Sequence, residues 1–492
     1  MEKFLAGLER TANTSYTENA AKGYRTTFNP IVDMSFKLPS YRHTSAASFD
    51  FDEAFLFDPA YALKFLFYAR DAREGVGERD FFRNIAKNGS REVQEAILRN
   101  LHLVPEYGRW DDLLCLVETA FYRLAVINIT KDQLAEDYEK MMEGKPISLL
   151  AKWMPSINAS SQETRRLAQI FIKAFGMKPV TYRKGLAKMR RHLDVVERKM
   201  SSNAWDTIDY TKVPSRANLK YAKAFLRNDR ENRQKYLDSV LAGKMKMNAS
   251  VIFPHEALRG NIYDKGAHPD ILARWKSLPN LMPDEESTIV VLDTSASMTW
   301  NRNPVPLEVA TGIALYCSER LPDAYKNKII TFSYEPQYYD LSHYTNVIEK
   351  LAFLRGQMIN SNTDIEKVFD VVLKTAVDNN LTQEELPRNI LIISDMEFDE
   401  ARDLSYGERA LPQDTLFAVI RQKYAQHGYE LPHLVFWNVA SRTNTIPDYG
   451  ENVTLVGGYS QNLLRVALGG KTSSWEQLKG VLDSPRYEPI VI

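Results

Sequence analysis

The N-terminal half of the chain has the apolar spacing of amphipathic helices. Between about residue 50 and residue 241, apolar residues recur every three or four positions, as in a helix that buries one face. One helix is predicted to begin at Asp58-Pro59, an N-cap residue followed by proline in the first turn. Further helices are predicted over residues 90–101, 110–126, 131–142, 162–175, 183–200, 216–228 and 231–242. Many helices with short connections predict an all-α solenoid or bundle.

The pattern changes after Pro279 to short, continuous apolar runs. Such runs are typical of strands that are buried on both faces of a parallel sheet. They cover residues 287–293, 328–333, 389–395, 433–439 and 453–456, and helices are predicted at 307–320, 365–377 and 416–426. This alternation predicts an α/β, doubly wound (Rossmann-like) parallel sheet, in which ligands bind at the carboxyl ends of the strands.

These patterns divide the chain into five parts. We predict an extended N-terminal lead at residues 1–45, a helical domain at 46–278, a linker at 279–286, an α/β domain at 287–470 and a C-terminal tail at 471–492. The short linker spans roughly 28 Å at full extension, so the two domains are expected to stay close. The lead is therefore expected to be ordered against the α/β domain or the last helices.

Charge is distributed unevenly along the 492 residues, although the net charge is zero. Residues 151–250 contain 22 Lys and Arg against 8 Asp and Glu, whereas residues 281–492 contain 18 against 29. This asymmetry favours a polyanionic partner for the first block and a cation for the second, the alternative being a solvated helical surface. Two cysteines far apart and no apolar run long enough to cross a bilayer predict a cytoplasmic protein without a membrane partner.

Hydroxyl and carboxyl groups cluster where the predicted strands end. Asp293, Ser295 and Ser297 alternate directly after the first apolar strand, and Asp395 ends another. Thr363 lies in a polar loop before a predicted helix. Because the carboxyl ends of parallel strands share one edge of a sheet, these loops are expected to converge. Hard oxygen ligands with little negative charge suit Mg²⁺, with Mn²⁺ as a second candidate.

This ordered pattern resembles the metal-ion-dependent adhesion site of von Willebrand factor A (vWA) domains. The resemblance implies that Ser295, Ser297 and Thr363 are hydroxyl ligands and that Asp293 and Asp395 bind directly or through water. It also implies an open coordination position for an acidic residue of a protein partner. The alternative is a haloacid-dehalogenase-type phosphotransferase with Asp293 as nucleophile, but a serine stands where its general-acid carboxyl is expected.

A basic ridge is predicted on the helix that begins near residue 183. Lys184, Lys188 and Arg191 fall along one line of this helix, with Arg183 and Arg190 beside them. Such a row of cations can follow a phosphate backbone. Three nearby aromatic residues are candidates either for stacking on unpaired bases or for packing between helices; they are Tyr182, Trp205 and Tyr210.

A second resemblance is carried by three segments of the helical half and by one of the lead; they are Ala62–Asp71, Arg73–Arg79, Val104–Leu113 and Thr17–Ala20. These segments resemble the TROVE module of Ro-type RNA-binding proteins and their wider TROVE-like/vWA family. The order of a helical module followed by a vWA domain is also alike. The resemblance implies a HEAT-like helical ring that binds small structured or misfolded RNAs.

The sequence thus predicts a non-catalytic, RNA-binding ribonucleoprotein component with a metal-dependent docking site. The expected partners are a small RNA and a protein that offers an acidic residue; neither DNA nor a membrane is expected. No enzyme signature is visible, because the eight histidines lack metal spacing and no nucleophile elbow occurs. The alternative is a protein-interaction scaffold that uses the metal site without RNA.

Overall fold

The chain forms two compact units in a computed structural model. The model describes residues 12–43, 46–260, 263–283, 287–300, 303–332, 335–357, 363–400, 415–470 and 473–492. The first unit, here the α/β unit, comprises residues 1–46 and 240–484; the second, here the helical unit, comprises residues 47–239 and 485–492. Each unit is therefore built from segments that are distant in sequence.

Helices occur in both units and are numbered along the chain. Those of the first 241 residues are α1 (Pro30–Lys37), α2 (Ala47–Phe57), α3 (Pro59–Arg70), α4 (Arg79–Asn88), α5 (Arg91–Arg99), α6 (Val104–Tyr107), α7 (Trp110–Leu114), α8 (Arg123–Met142), α9 (Leu150–Trp153), α10 (Gln162–Ala174), α11 (Pro179–His192), α12 (Val196–Ser201), α13 (Ser215–Asn228) and α14 (Arg230–Leu241). The later ones are α15 (Pro254–Ala257), α16 (His268–Lys276), α17 (Pro306–Ser318), α18 (Val347–Gly356), α19 (Glu366–Asp378), α20 (Leu416–Gln426), α21 (Leu464–Ala467) and α22 (Ser474–Leu482). The first group makes the helical unit, apart from α1 and the end of α14.

The α/β unit contains a six-stranded mixed sheet. A small hairpin, β1 (Thr14–Tyr16) and β2 (Lys22–Tyr24), precedes it. The sheet strands are β3 (Thr288–Asp293), β4 (Lys328–Phe332), β5 (Gln337–Asp340), β6 (Asn389–Ser394), β7 (His433–Asn438) and β8 (Val453–Gly457). Their order is β5-β4-β3-β6-β7-β8, and every pair is parallel except β4–β5. The prediction of a wholly parallel sheet was wrong at this edge, where β5 has no continuous apolar run.

The two central strands explain why the sheet forms where the apolar runs occur. All residues of β3 and of β6 are buried, so helices must cover both faces of the sheet. The core on one face includes Ile392 from β6, Phe417 from α20 and Phe36 from α1. The N-terminal segment is therefore part of the hydrophobic core of the α/β unit.

The described part of the N-terminal lead, residues 12–43, packs within the α/β unit. It is not extended throughout, because α1 begins at Pro30 with the Asn29 side chain accepting from two backbone N–H groups. The Phe36 carbonyl accepts a hydrogen bond from Asn438 Nδ2 at 2.8 Å. A Cβ at Gly457 would lie 2.2 Å from that carbonyl oxygen, so only glycine allows this close approach.

The helical unit differs from the sequence prediction in where its helices begin and end. The stretch predicted as two elements near 110–126 and 131–142 contains the short α7 and then α8, a single helix of 20 residues. The helix predicted over 183–200 is broken, because α11 ends at His192 and Asp194 has a left-handed φ of 48°. The apolar spacing continued across the break, so periodicity alone did not reveal it.

A buried ion network ties the first helices of the helical unit together. Arg70 of α3 donates to Asp112 of α7 from Nε at 2.9 Å, and Arg83 of α4 donates to the other oxygen of that carboxylate at 2.7 Å. Asp112 is fully buried, so the two guanidinium groups offset its desolvation. Asp112 thus has a structural role between the helices α3, α4 and α7.

The compact units are bounded differently from the predicted domains. Residues 240–283 belong to the α/β unit, where Trp275 Nε1 donates to Glu319 at 2.6 Å. The region predicted as a tail contains α22, which lies in the α/β unit, while residues 485–492 belong to the helical unit. There Arg486 pairs with the buried Asp71. The chain thus leaves one unit after its first 46 residues and returns to it near residue 240.

Candidate functional site

Two predicted metal ligands, Asp293 and Asp395, follow neighbouring parallel strands. Strand β3 pairs with β6 in a register that sets Leu292 beside Ile393, and both carboxylates therefore lie at the same edge of the sheet. Both are buried, with 0% and 1% of their surface exposed. Ser394 Oγ donates to Asp293 Oδ2 at 2.5 Å and links the two strand ends.

The serine hydroxyls lie in the loop after β3. Ser295 N donates to Asp293 Oδ1 at 2.9 Å, which turns the loop back over the strand end. The hydroxyls of Ser295 and Ser297 are 3.0 Å apart, and the Ser297 side chain hydrogen-bonds to Asp395. The structure therefore brings four of the five predicted residues together through direct contacts.

Thr363, the fifth predicted ligand, contacts the loop that follows β6. Its N–H donates to Asp399 Oδ2 at 3.1 Å, and its carbonyl accepts from Asp399 N at 3.0 Å. Its hydroxyl accepts from Asn19 Nδ2 at 3.4 Å. Thr363 is 2% exposed, whereas the preceding residues 358–362 lie outside the described part of the chain.

Burial raises the pKa of both aspartates, and a neighbouring carboxylate adds to it, Asp395 for Asp293 and Glu397 for Asp395. Desolvation is the main cause for Asp293, and the nearby charge of Asp395 adds to it. Desolvation also raises the pKa of Asp395, while the hydrogen bond from Ser297 and the charge of Arg442 oppose this change. Two buried carboxylates that repel each other favour a bound cation.

The donor set fits a hard divalent cation. Two carboxylates and up to three hydroxyls offer the oxygen ligands that Mg²⁺ prefers, and bound water would complete its octahedron. In the described residues, no group of three or more His, Cys, Asp or Glu side chains is placed to hold a metal, so a cation at this edge would need the hydroxyl oxygens as ligands. The same chemistry distinguishes it from a site for Zn²⁺, which prefers nitrogen and sulfur.

Sequence reasoning missed two charged residues beside this group. Arg442 Nη2 lies 3.6 Å from Asp395 Oδ2, and its guanidinium stacks on Trp300 at 4.9 Å. Glu397 is fully buried and accepts backbone hydrogen bonds from Glu18, Arg442 and Thr443 at 2.7–2.9 Å. In the sequence, the only signal for Glu397 is that acidic residues stand at alternate positions from Asp395 to Asp399. Nothing in the sequence marked Arg442.

The predicted basic residues lie on α11, and four of the five are exposed. Arg183, Lys184, Lys188 and Arg191 face away from the buried side chains of Leu186 and Met189; they are exposed. Within the described chain, no carboxylate pairs with Arg183, Lys184 or Arg191, whereas Lys188 lies 5.2 Å from the Tyr138 ring. This exposed set is called the α11 row below.

Arg190, the fifth predicted RNA contact, donates hydrogen bonds inside the helical unit. Its guanidinium donates to the carbonyls of Ala151 at 2.8 Å and Met154 at 2.7 Å, and to Ser156 Oγ at 2.9 Å. These bonds turn the side chain toward the segment around α9. All three guanidinium nitrogens thus donate inside the helical unit, which favours a structural role, and contact of Arg190 with RNA stays a prediction.

The aromatic residues near the α11 row mostly pack inside the helical unit. Tyr182 is 3% exposed and its hydroxyl donates to the Pro155 carbonyl at 2.8 Å. Tyr210 is 5% exposed, donates to Asp229 and stacks on Tyr236. Trp205 is half-buried. Packing, rather than base stacking, therefore explains Tyr182 and Tyr210.

Comparison with known proteins finds two family models and one curated relative. Residues 287–484 match a model described as a domain of unknown function, DUF7788, and residues 177–281 match a second, DUF2828. The chain is 27% identical over 524 residues to "Uncharacterized protein L728" of Acanthamoeba polyphaga mimivirus, covering 98% of this chain and 89% of that protein. The first model begins with β3, at the strand that leads into the candidate metal site.

Two solved structures are also similar to the chain. The RO (RSR) protein of Deinococcus radiodurans matches with a TM-score of 0.46 and 14% identity over 86% of this chain and 93% of that one. Proximal thread matrix protein 1 from the mussel byssus matches with a TM-score of 0.22 and 14% identity over 41% and 47%. Because both scores are below 0.5, neither similarity indicates a function for this chain. In the part of the chain that the structure describes, no helix is long and apolar enough to cross a membrane.

Proposed function

We propose that this protein is a non-catalytic RNA-binding component whose α/β unit carries a metal-dependent docking site. The observation that carries the docking site is the convergence of Asp293, Ser295, Ser297 and Asp395 at one sheet edge, with Thr363 beside them. A bound Mg²⁺ or Mn²⁺ would supply Lewis acidity and an attachment point for an acidic group. The five residues would hold that ion directly or through water.

The proposed RNA surface is the α11 row. Arg183, Lys184 and Arg191 are exposed, and no carboxylate of the described chain neutralises them. Successive turns of a helix rise 5.4 Å, so Lys184, Lys188 and Arg191 form a line of cations at a spacing comparable to that of successive phosphates. Each phosphate contact releases counterions and makes binding depend on salt.

Charge reversal of the α11 row tests the RNA half of the proposal. A variant with Arg183, Lys184 and Arg191 changed to Glu should bind a small structured RNA more weakly than wild type. The slope of log K against log salt should fall by roughly 0.7–0.9 for each lost phosphate contact. Fluorescence anisotropy over a salt series measures both quantities.

A control variant with the same charge change separates a local surface from general attraction. Lys131, Lys212 and Lys235 are exposed on other elements of the helical unit, so their change to Glu alters net charge equally. The control should keep its RNA affinity. Equal losses of RNA affinity in the two variants would contradict the assignment of the RNA surface to α11. If the wild type bound no RNA, the protein-interaction scaffold would replace the RNA-binding function.

Metal titration tests the docking half. After removal of metal with a chelator, calorimetric titration with Mg²⁺ or Mn²⁺ should show one site per chain. An acidic partner should then bind only the loaded protein. Absence of any binding at millimolar metal would overturn this half without affecting the RNA experiment.

A further inference from the structure

The N-terminal segment runs along the loop that follows β6, beside the candidate metal ligands. Three hydrogen bonds hold it there: Thr17 Oγ1 donates to Phe398 O at 2.6 Å, Glu18 N to Glu397 Oε2 at 2.9 Å, and Glu400 N to Asn19 O at 3.1 Å. Ala20 also forms an antiparallel bridge with Asp399. Residues 17–21 therefore form one side of the site, although Asn19 lies 344 positions before Thr363 in sequence.

Asn19 contacts the site through a side-chain amide. Its Nδ2 donates to the Glu397 carbonyl at 2.7 Å and to the Thr363 hydroxyl at 3.4 Å. The shorter bond fixes the orientation of the amide, and the longer one occupies a lone pair of Thr363 Oγ1. A hydroxyl oxygen has a second lone pair, which could bind a cation. Asn19 is a positioning residue for this hydroxyl.

Glu18 places a carboxylate next to the ligand Asp395. The two side chains contact the same nitrogen, Nη2 of Arg442, which pairs closely with Glu18 and lies 3.6 Å from Asp395. Only one guanidinium group thus separates Glu18 from a predicted metal ligand. The Glu18 side chain is half exposed, whereas Asp395 is buried, so Glu18 lies on the solvent side of the site.

We infer that Glu18 is the chain's own acidic ligand for the open coordination position of the metal. This inference rests on the proposed metal site. Its carboxylate offers the hard oxygen that a partner would otherwise supply. An intramolecular ligand on a short segment acts at an effective concentration on the order of millimolar, so a protein partner must displace residues 17–21 to dock. Arg442 holds Glu18 near this position.

Calorimetry and water relaxation with Mn²⁺ on the full-length protein test this inference. Glu18→Gln removes the carboxylate charge but keeps the backbone bonds, and it should weaken Mn²⁺ binding by about threefold to tenfold. One more water should then bind the ion and raise water-proton relaxivity. Glu18→Asp should restore part of the affinity. Glu451→Gln, at an exposed position of the same unit, is the control and should match wild type.

Acetate serves as the probe for the open position. It should lower the relaxivity of Mn²⁺-loaded Glu18→Gln at concentrations that leave wild type unchanged, because Glu18 already excludes it there. Wild-type affinity and relaxivity in Glu18→Gln would overturn the inference and leave the metal site intact. Failure of the wild type itself to bind Mn²⁺ would overturn the metal site, and the inference with it.

Discussion

The candidate metal site and the α11 row hold their residues in opposite ways. At the sheet edge, Asp293 and Asp395 are buried and joined by hydrogen bonds to loops that are distant in sequence. On α11, Lys184 and Arg191 project from one helix and contact no carboxylate of the described chain. The sheet edge should therefore lose metal binding when any one of its residues is removed. The α11 row should instead lose RNA affinity in small steps, one for each cation removed. The following changes test that difference.

The largest effect is expected from Asp293→Ala. This change removes one of two buried carboxylates and the acceptor of the bonds from Ser295 and Ser394. We expect Mn²⁺ binding to fall by at least about a hundredfold, measured by calorimetry, since outer contacts alone typically change metal affinity by about 10–100-fold. The control is Asp323→Ala, which removes a fully exposed carboxylate of the same unit. Retained binding in Asp293→Ala would show that the sheet edge does not hold the ion.

The next effect is expected from Arg190→Ala, which distinguishes a structural arginine from its exposed neighbour. Loss of the bonds to Ala151, Met154 and Ser156 leaves buried acceptors unsatisfied and should lower the free energy of unfolding by about 1–3 kcal/mol. Arg191→Ala should change it by less than about 0.5 kcal/mol. Urea denaturation measures both. Equal stabilities would contradict the structural role of Arg190.

A smaller effect is expected from Tyr182→Phe. The variant loses only the hydroxyl that donates to the Pro155 carbonyl, so the free energy of unfolding should fall by about 1 kcal/mol. RNA affinity should stay unchanged, because the ring is buried between helices. Thermal denaturation measures the change in stability, and anisotropy titration measures the RNA affinity. A clear loss of RNA affinity without loss of stability would return Tyr182 to the RNA surface.

The smallest effect is expected from Lys184→Ala. Removing one exposed cation should lower the salt slope of RNA binding by roughly 0.7–0.9 and leave stability within about 0.5 kcal/mol of wild type. Lys131→Ala provides a matched exposed lysine outside the row. If Lys184→Ala alone abolished RNA binding, the cations of the α11 row would depend on one another. The row would then not differ from the sheet edge in this respect.

Sequence patterns located the sheet edge better than the helical surface for a physical reason. Buried parallel strands are continuous apolar runs, and their ends meet at one edge, so Asp293 and Asp395 could be placed together before any contact was seen. The sequence pattern did not predict strand β5, because this strand lies at the edge of the sheet and its residues are exposed or half-buried. An edge strand needs no apolar run.

Helix periodicity could not foresee what surrounds α11. It separated Leu186 and Met189 from Lys184 correctly, because that difference is local to one helix. The role of Arg190 depends on Ala151 and Met154, which another segment brings near. Likewise, the contacts of Glu18 and Asn19 join residues that are more than 340 positions apart, and no local pattern encodes such a pairing.

The packing of α1 on the sheet sets the order in which the chain can fold during synthesis. Asn438, which donates to the Phe36 carbonyl, lies 402 positions after it. At about 5–20 residues per second, the ribosome makes that partner roughly 20–80 s later. Until then Phe36 and Val32, which are fully or almost fully buried in the finished protein, have no core to enter. The α/β unit can therefore complete its hydrophobic core only after β7 has been synthesised.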